Sequence, residues 1–265
     1  MKSPALVQKR YLLIKATAAF LALAFAFVYS RELGIVNRSI LAYVFTLSSL
    51  IWIFLTSGTT LTLRKNQPAV SSRIFASFQT LLLVQVLIGL FVFSLGLFLF
   101  STFKASISGP LLFASYLYFV SSGVAMLLVE ISITYFDFKF SGYLELIAVV
   151  IQILFYFIVL IPVDLTIAIQ LMLSFIASYI SISFVFLRRF RKQLGASIRF
   201  SSPLLFFKFT EGNHSLGISL GVMDRLDRLI IAFAFPTGFL AKYSVMSSFI
   251  TYFRFVPEFI SRSAA

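Results

Sequence analysis

Apolar positions fall in blocks of about twenty residues, separated by short stretches where charge, Gly or Pro breaks the run. A helix needs about 20 residues to cross the hydrocarbon core of a bilayer. Each block therefore predicts a membrane-spanning helix. The eight blocks are Tyr11–Ser30, Ser39–Leu61, Ile74–Phe103, Pro110–Tyr135, Gly142–Ile161, Leu165–Leu187, His214–Phe235 and Gly238–Ile260. The third is long enough to tilt or overhang. The seventh is interrupted by charge. Composition agrees: 60% of the 265 residues are hydrophobic and 12% charged, and the mean hydropathy is +1.01. An average soluble domain carries about 25% charged residues. A soluble enzyme, a disordered chain and a collagen-like chain are excluded. The pattern predicts an all-α integral membrane protein with about eight transmembrane helices.

Lys2, Lys9 and Arg10 before the first block resemble the start of a signal peptide. The apolar stretch is longer than a signal core, and Ser30-Arg31-Glu32 is a poor cleavage site, so a retained first helix is expected. Lysine and arginine set the orientation. With the N-terminus inside, the inner segments carry Lys2, Lys9, Arg10, Arg64, Lys65, Arg73, Lys139, Arg188, Arg189, Arg191, Lys192, Arg199 and Lys208. The outer loops carry only Arg31, Arg38 and Lys104. The expectation is a multi-pass membrane protein with a cytoplasmic N-terminus.

One connection is long. Residues 188–213 open with RRFRK and continue as an amphipathic stretch, which suits a cytoplasmic connector lying on the inner membrane face. It separates a six-helix bundle, residues 1–187, from residues 214–265, the first two helices of a second bundle. LAYVFTLSS (Leu41–Ser49) and LAKYSVMSS (Leu240–Ser248) align without gaps, with Leu, Ala, Ser and Ser identical. The offset equals one six-helix block. The reading is a parallel repeat whose second copy is cut off after two helices.

Charges inside the apolar blocks are the candidate site. An ionised group at mid-bilayer costs at least about 2.5–3.5 kcal/mol, so it needs a partner or a water-filled cavity. The seventh block holds Asp224, Arg225, Asp227 and Arg228 near its centre. Asp224 and Arg228 stand four apart, acid first, as an ion pair along one helix would. Arg225 and Arg228 stand three apart on a neighbouring face. His214, Gly217, Gly221, Asp224 and Arg228 form a small, polar stripe that must avoid lipid. The alternative for the acids is a structural ion pair with a glycine packing notch, Gly217-x-x-x-Gly221. Two arginines at this depth exceed what packing requires. Lys15, one turn inside the first block, aligns with His214 under the repeat. Its alternative is snorkelling to the surface. Glu130 and Glu145 lie toward the inner ends of their blocks, where an interface position accounts for them. Arg254 lies one turn from Glu258 and is a further cavity cation or pair, beside the kinking Pro257.

No catalytic constellation, phosphate loop or metal-ligand spacing is present. The chain has no cysteine and one histidine. No catalytic site, cofactor or metal is expected. The formal net charge of +13 suggests loop orientation, anionic lipid or an anionic substrate rather than nucleic acid.

The segment Asp224–Ser248, DRLDRLIIAFAFPTGFLAKYSVMSS, resembles the seventh-to-eighth helix region of bacterial polysaccharide flippases. There a charged R-x-D-R pair precedes an Ile-rich run, a short outer turn and the start of the next helix. Arg225, Asp227, Arg228, Ile230 and Ile231, then Tyr243-Ser244-Val245, occupy that pattern here, shifted to DRLDR. Ser30–Gly34 is similar to the family's Arg-x-Leu-Gly turn. The family sits within the multidrug/oligosaccharidyl-lipid/polysaccharide exporter superfamily. The resemblance implies two six-helix bundles around a central cavity. It also implies translocation of undecaprenyl-pyrophosphate-linked oligosaccharide, an O-antigen or exopolysaccharide repeat unit, across the bacterial cytoplasmic (inner) membrane by alternating access. This chain stops after eight spans, short of that complement.

Arg225, Arg228, Arg254 and Lys15 are then the expected cationic cavity groups for a pyrophosphate or acidic sugar. Asp224 and Asp227 are the expected coupling or ion-pair groups. Expected partners are the lipid-linked oligosaccharide, membrane lipids, and a polysaccharide polymerase with glycosyltransferases. Two alternatives remain: a multidrug or cation antiporter of the same superfamily, and a non-transporting membrane scaffold in polysaccharide assembly.

Overall fold

The computed structural model describes residues 4–56, 72–135, 138–160, 165–194, 222 and 225–253. All described elements are helical: α1 (Pro4–Glu32), α2 (Ile35–Thr56), α3 (Ser72–Phe103), α4 (Gly109–Tyr135), α5 (Phe138–Leu154), α6 (Ile167–Leu194), α7 (Leu226–Ala234) and α8 (Thr237–Phe253). Each expected span overlaps one of them. Five stretches are long and apolar enough to cross a membrane: Leu13–Glu32, Ile35–Thr56, Leu83–Phe103, Gly109–Val129 and Ile167–Arg189. The fifth expected span departs from regularity. After α5 the chain continues as a π-helix, Phe155–Leu160.

The sixth helix runs past its expected end. Arg188 and Arg189 were expected to open the connector, but α6 continues to Leu194. No Gly or Pro interrupts it before Gly195, and cations in a last turn suit the helix dipole. The Arg189 guanidinium lies 4.3 Å from the centre of the Phe140 ring at the start of α5. Residues 195–213 lie outside the described residues.

The helices run alternately up and down, as contacts at one end show. Ser39 at the start of α2 donates to the carbonyl of Thr237 at the start of α8. Lys104 Nζ, after α3, donates to the Phe235 carbonyl at 3.2 Å. The Tyr156 hydroxyl in the π-helix donates to the Glu32 carboxylate at 3.0 Å. The α1–α2 turn, the α3 terminus, the π-helix and the α7–α8 turn thus meet at one end. The start of α1 and the ends of α2, α4 and α6 mark the opposite end, here called the N-terminal end. The segments Leu41–Ser49 and Leu240–Ser248 lie on the adjacent helices α2 and α8.

Helix α2 is the inner element. It touches α3, α4, α6, α7 and α8, and 61% of its apolar window is buried, against 11% for α1. Glycines let its neighbours approach. A Cβ on Gly123 of α4 would overlap the Trp52 indole, and one on Gly96 of α3 would stand 2.6 Å from Leu47 Cδ2. Small residues at helix contacts are how backbones come close in a membrane, where apolar burial alone gives no drive. The indole of Trp52 donates to the Phe119 carbonyl at 2.8 Å and stacks on the Phe119 ring. The Tyr43 hydroxyl donates to the Gly96 carbonyl at 2.9 Å, with its ring stacked 4.1 Å from that of Phe100.

Candidate functional site

Five helices leave a cavity of about 600 Å³ between them. Each contributes one stripe at helical spacing. From α1 come Lys15, Ala18, Ala19 and Ala22; from α2, Phe45, Ser48, Ser49 and Trp52. Helix α4 gives Tyr118, Ser122, Ala125, Met126 and Val129, and α5 gives Glu145, Ala148, Val149 and Gln152. Phe175, Ser178, Tyr179 and Ile182 of α6 complete the ring, with Arg225 from outside the bundle. The alanines of α1 create the space, because they carry no side chain long enough to fill it. The lining extends from mid-helix toward the N-terminal end: Trp52 lies one turn before the end of α2, and Glu145 lies two turns after the start of α5.

Charge enters at two places. Lys15 Nζ lies 3.2 Å from Glu145 Oε1, tying α1 to α5 across the cavity. Both side chains are about one-third exposed, so water in the cavity screens the pair. Arg225 Nη1 donates to Ser49 Oγ at 2.6 Å. Tyr118 of α4 and Tyr179 of α6 line the same cavity. Ser48 and Ser122 share a hydrogen bond at 3.2 Å. Lys15, Arg225 and Glu145 leave the described lining with a net positive charge.

The backbone sets the reach of Arg225. Its dihedrals, φ −136° and ψ −15°, are not helical, and it caps α7. Its N–H donates to the Val222 carbonyl at 3.0 Å. The expected seventh helix therefore does not run regularly through the charged group. The Arg225 carbonyl accepts from the Leu229 N–H at 3.4 Å, so Arg225 opens the first turn of α7. Arg225 lines the cavity, and Arg228 does not. Arg228 Nε is buried, with no hydrogen-bond partner among the described residues.

Asp227 lies in the first turn of α7, where the helix dipole favours a carboxylate. It accepts a hydrogen bond from the Arg228 N–H at 2.7 Å and another from the Tyr243 hydroxyl of α8. Its contacts fasten α7 to α8 and do not reach the cavity. Asp224, Arg254, His214, Gly217 and Gly221 lie outside the described residues. Among the described residues no cluster of acids and histidines could hold a metal ion.

Glu145 is the residue the sequence reading misplaced. Its position near a helix end suggested an interface role, but its carboxylate turns into the cavity. The signal was the face it shares with Ala148, Val149 and Gln152. Gln152 is only 6% exposed, an unusual position for an amide in a lipid-embedded helix.

No family model, no curated protein and no solved structure matches the chain.

Proposed function

We propose that this protein translocates an anionic, lipid-linked oligosaccharide across the cytoplasmic membrane. The supporting observation is the cavity of about 600 Å³ inside the helical bundle, with the Arg225 guanidinium on its wall. That volume suits the head of such a molecule and not its lipid chain, since ligand cavities run about 300–1,000 Å³. Arg225 and Lys15 would hold the pyrophosphate by charge-assisted hydrogen bonds. Ser48, Ser49, Ser122, Ser178 and Gln152 would meet sugar hydroxyls. The lipid chain would stay in the bilayer while the cavity changes the side to which it opens. The N-terminal end, where the cavity lies, would face the cytoplasm.

The test is reconstitution of the chain into vesicles with a fluorescent polyprenyl-pyrophosphate oligosaccharide. Translocation is read by exposure of the sugar to an external lectin. Arg225→Ala should reduce the rate about tenfold to a hundredfold, the cost of one charge-assisted bond. Arg228→Ala should leave the rate within about twofold, because Arg228 is not in the cavity wall. Equal rates for wild type and Arg225→Ala would remove the assignment.

One observation favours a second reading. The Glu145 carboxylate lies in the cavity, as a cation antiporter needs. Lys15 already neutralises it. Glu145-dependent efflux of a cationic dye from the same vesicles would choose that reading.

A further inference from the structure

A second, smaller cavity of about 90 Å³ lies between α1 and α8, at the end away from the N-terminus. No described residue lines both this cavity and the larger one. Its walls are graded. Leu23, Ala26 and Phe27 of α1 and Val245 of α8 form the deeper, apolar part. Ser30, in the last turn of α1, and Arg38, in the first turn of α2, form the part nearest the helix ends. Phe27 is 52% exposed, so the crevice opens sideways onto the outer face of α1, where lipid chains run.

Arg38 has no evident structural purpose there. Its Nε is buried and has no hydrogen-bond partner among the described residues. No carboxylate is among the described residues that line the crevice. Arg38 as a whole is half-buried; a buried N–H without a partner is costly, and a planar guanidinium matches phosphate oxygens two at a time. Apolar groups at depth beneath a cation near the membrane surface mirror a lipid, with its chains beneath its phosphate.

We propose that this crevice binds one anionic phospholipid, with its phosphate on Arg38 and a chain along Leu23, Phe27 and Val245. The inference is independent of the translocation reading and rests only on the membrane-spanning fold. A net negative headgroup is preferred, because the amine of a zwitterionic lipid offsets the phosphate.

Native mass spectrometry of the full chain tests it. The detergent-purified protein is titrated with phosphatidylglycerol or phosphatidylcholine. Wild type should hold one phosphatidylglycerol about tenfold more tightly than phosphatidylcholine, the worth of one charge-assisted contact. Arg38→Gln should abolish that preference, Arg38→Lys should keep most of it, and Arg31→Ala, outside the crevice, should keep it fully. Phosphatidylglycerol held equally by wild type and Arg38→Gln would overturn the proposal. So would displacement of the lipid by millimolar inorganic phosphate, which marks a free-anion site. Should Arg38→Gln fail to fold, Val245→Trp fills the crevice and leaves the cation. It should lose the lipid, and retention would overturn the site.

Discussion

Arg225 illustrates how one backbone position decides which charge meets the cavity. Arg225 lines the cavity and Arg228, three residues on, does not. As the cap of α7, Arg225 reaches across to Ser49 of α2. Replacing Ser49 with Ala removes that tether without removing the charge. Translocation should then fall less than for Arg225→Ala, and Arg225→Lys should fall between them, since an ammonium keeps the charge and loses the fork. Asp227 and Tyr243 offer a separate test at this scale. Their hydrogen bond joins α7 to α8. Bonds to charged groups contribute about 1.5–3 kcal/mol. Asp227→Asn and Tyr243→Phe should each lower thermal stability in detergent, and the double variant should be little worse than either single one. Additive losses would mean that the two side chains act independently, and Asp227 would return to being a candidate coupling group.

The helices were legible in the sequence, while their faces were not. Apolar runs bounded by charge overlap every described helix, and five of these helices are long and apolar enough to cross a bilayer. Which side of each helix turns inward is hidden, because lipid chains are as apolar as Leu. Phe20, Phe91 and Phe98 are 66–73% exposed, while Ser115 and Ser174 are fully buried. Small and polar residues mark the inside here, and stripes such as Tyr118, Ser122, Ala125 and Val129 carried that mark at i, i+4, i+7 and i+11. The Gly123–Trp52 contact shows how tightly such stripes pack. A leucine at Gly123 would place its Cβ inside the indole, which is held by its bond to the Phe119 carbonyl. Overpacking of this kind costs about 1–3 kcal/mol or more. Gly123→Leu should lower the melting temperature of the detergent-solubilised protein sharply. Adding Trp52→Ala should recover part of the loss by vacating the space. If the pair melts lower than Gly123→Leu alone, the close approach is not what limits α4 against α2.

At the scale of the whole molecule, two of the three charges in the described cavity lining were foreseeable as cavity groups. Lys15 and Arg225 stood out as ions in apolar blocks. Glu145 did not, since only the crossing of α1 and α5 brings it to Lys15. The non-helical dihedrals of Arg225 coincide with the charge that interrupts the seventh apolar block. Topology makes a prediction that depends on neither substrate nor coupling. The lining reaches toward the N-terminal end of the bundle, and the Lys104 turn lies at the other end. The chain has no cysteine, so single introduced thiols report without background. In sealed vesicles of known orientation, a cysteine at Ser178 should react with a membrane-impermeant maleimide from the side that reaches the N-terminus. One at Lys104 should react only from the opposite side. A cysteine at Phe91, on the lipid-facing side of α3, should react from neither. Ser178 and Lys104 reacting from the same side would mean that the cavity opens at the other end of the bundle, and the cytoplasmic entry proposed for the substrate would have to be reversed. A protected Ser178 would mean that the cavity is closed to water, and Lys15 and Glu145 would then be a buried pair whose separation should destabilise the fold.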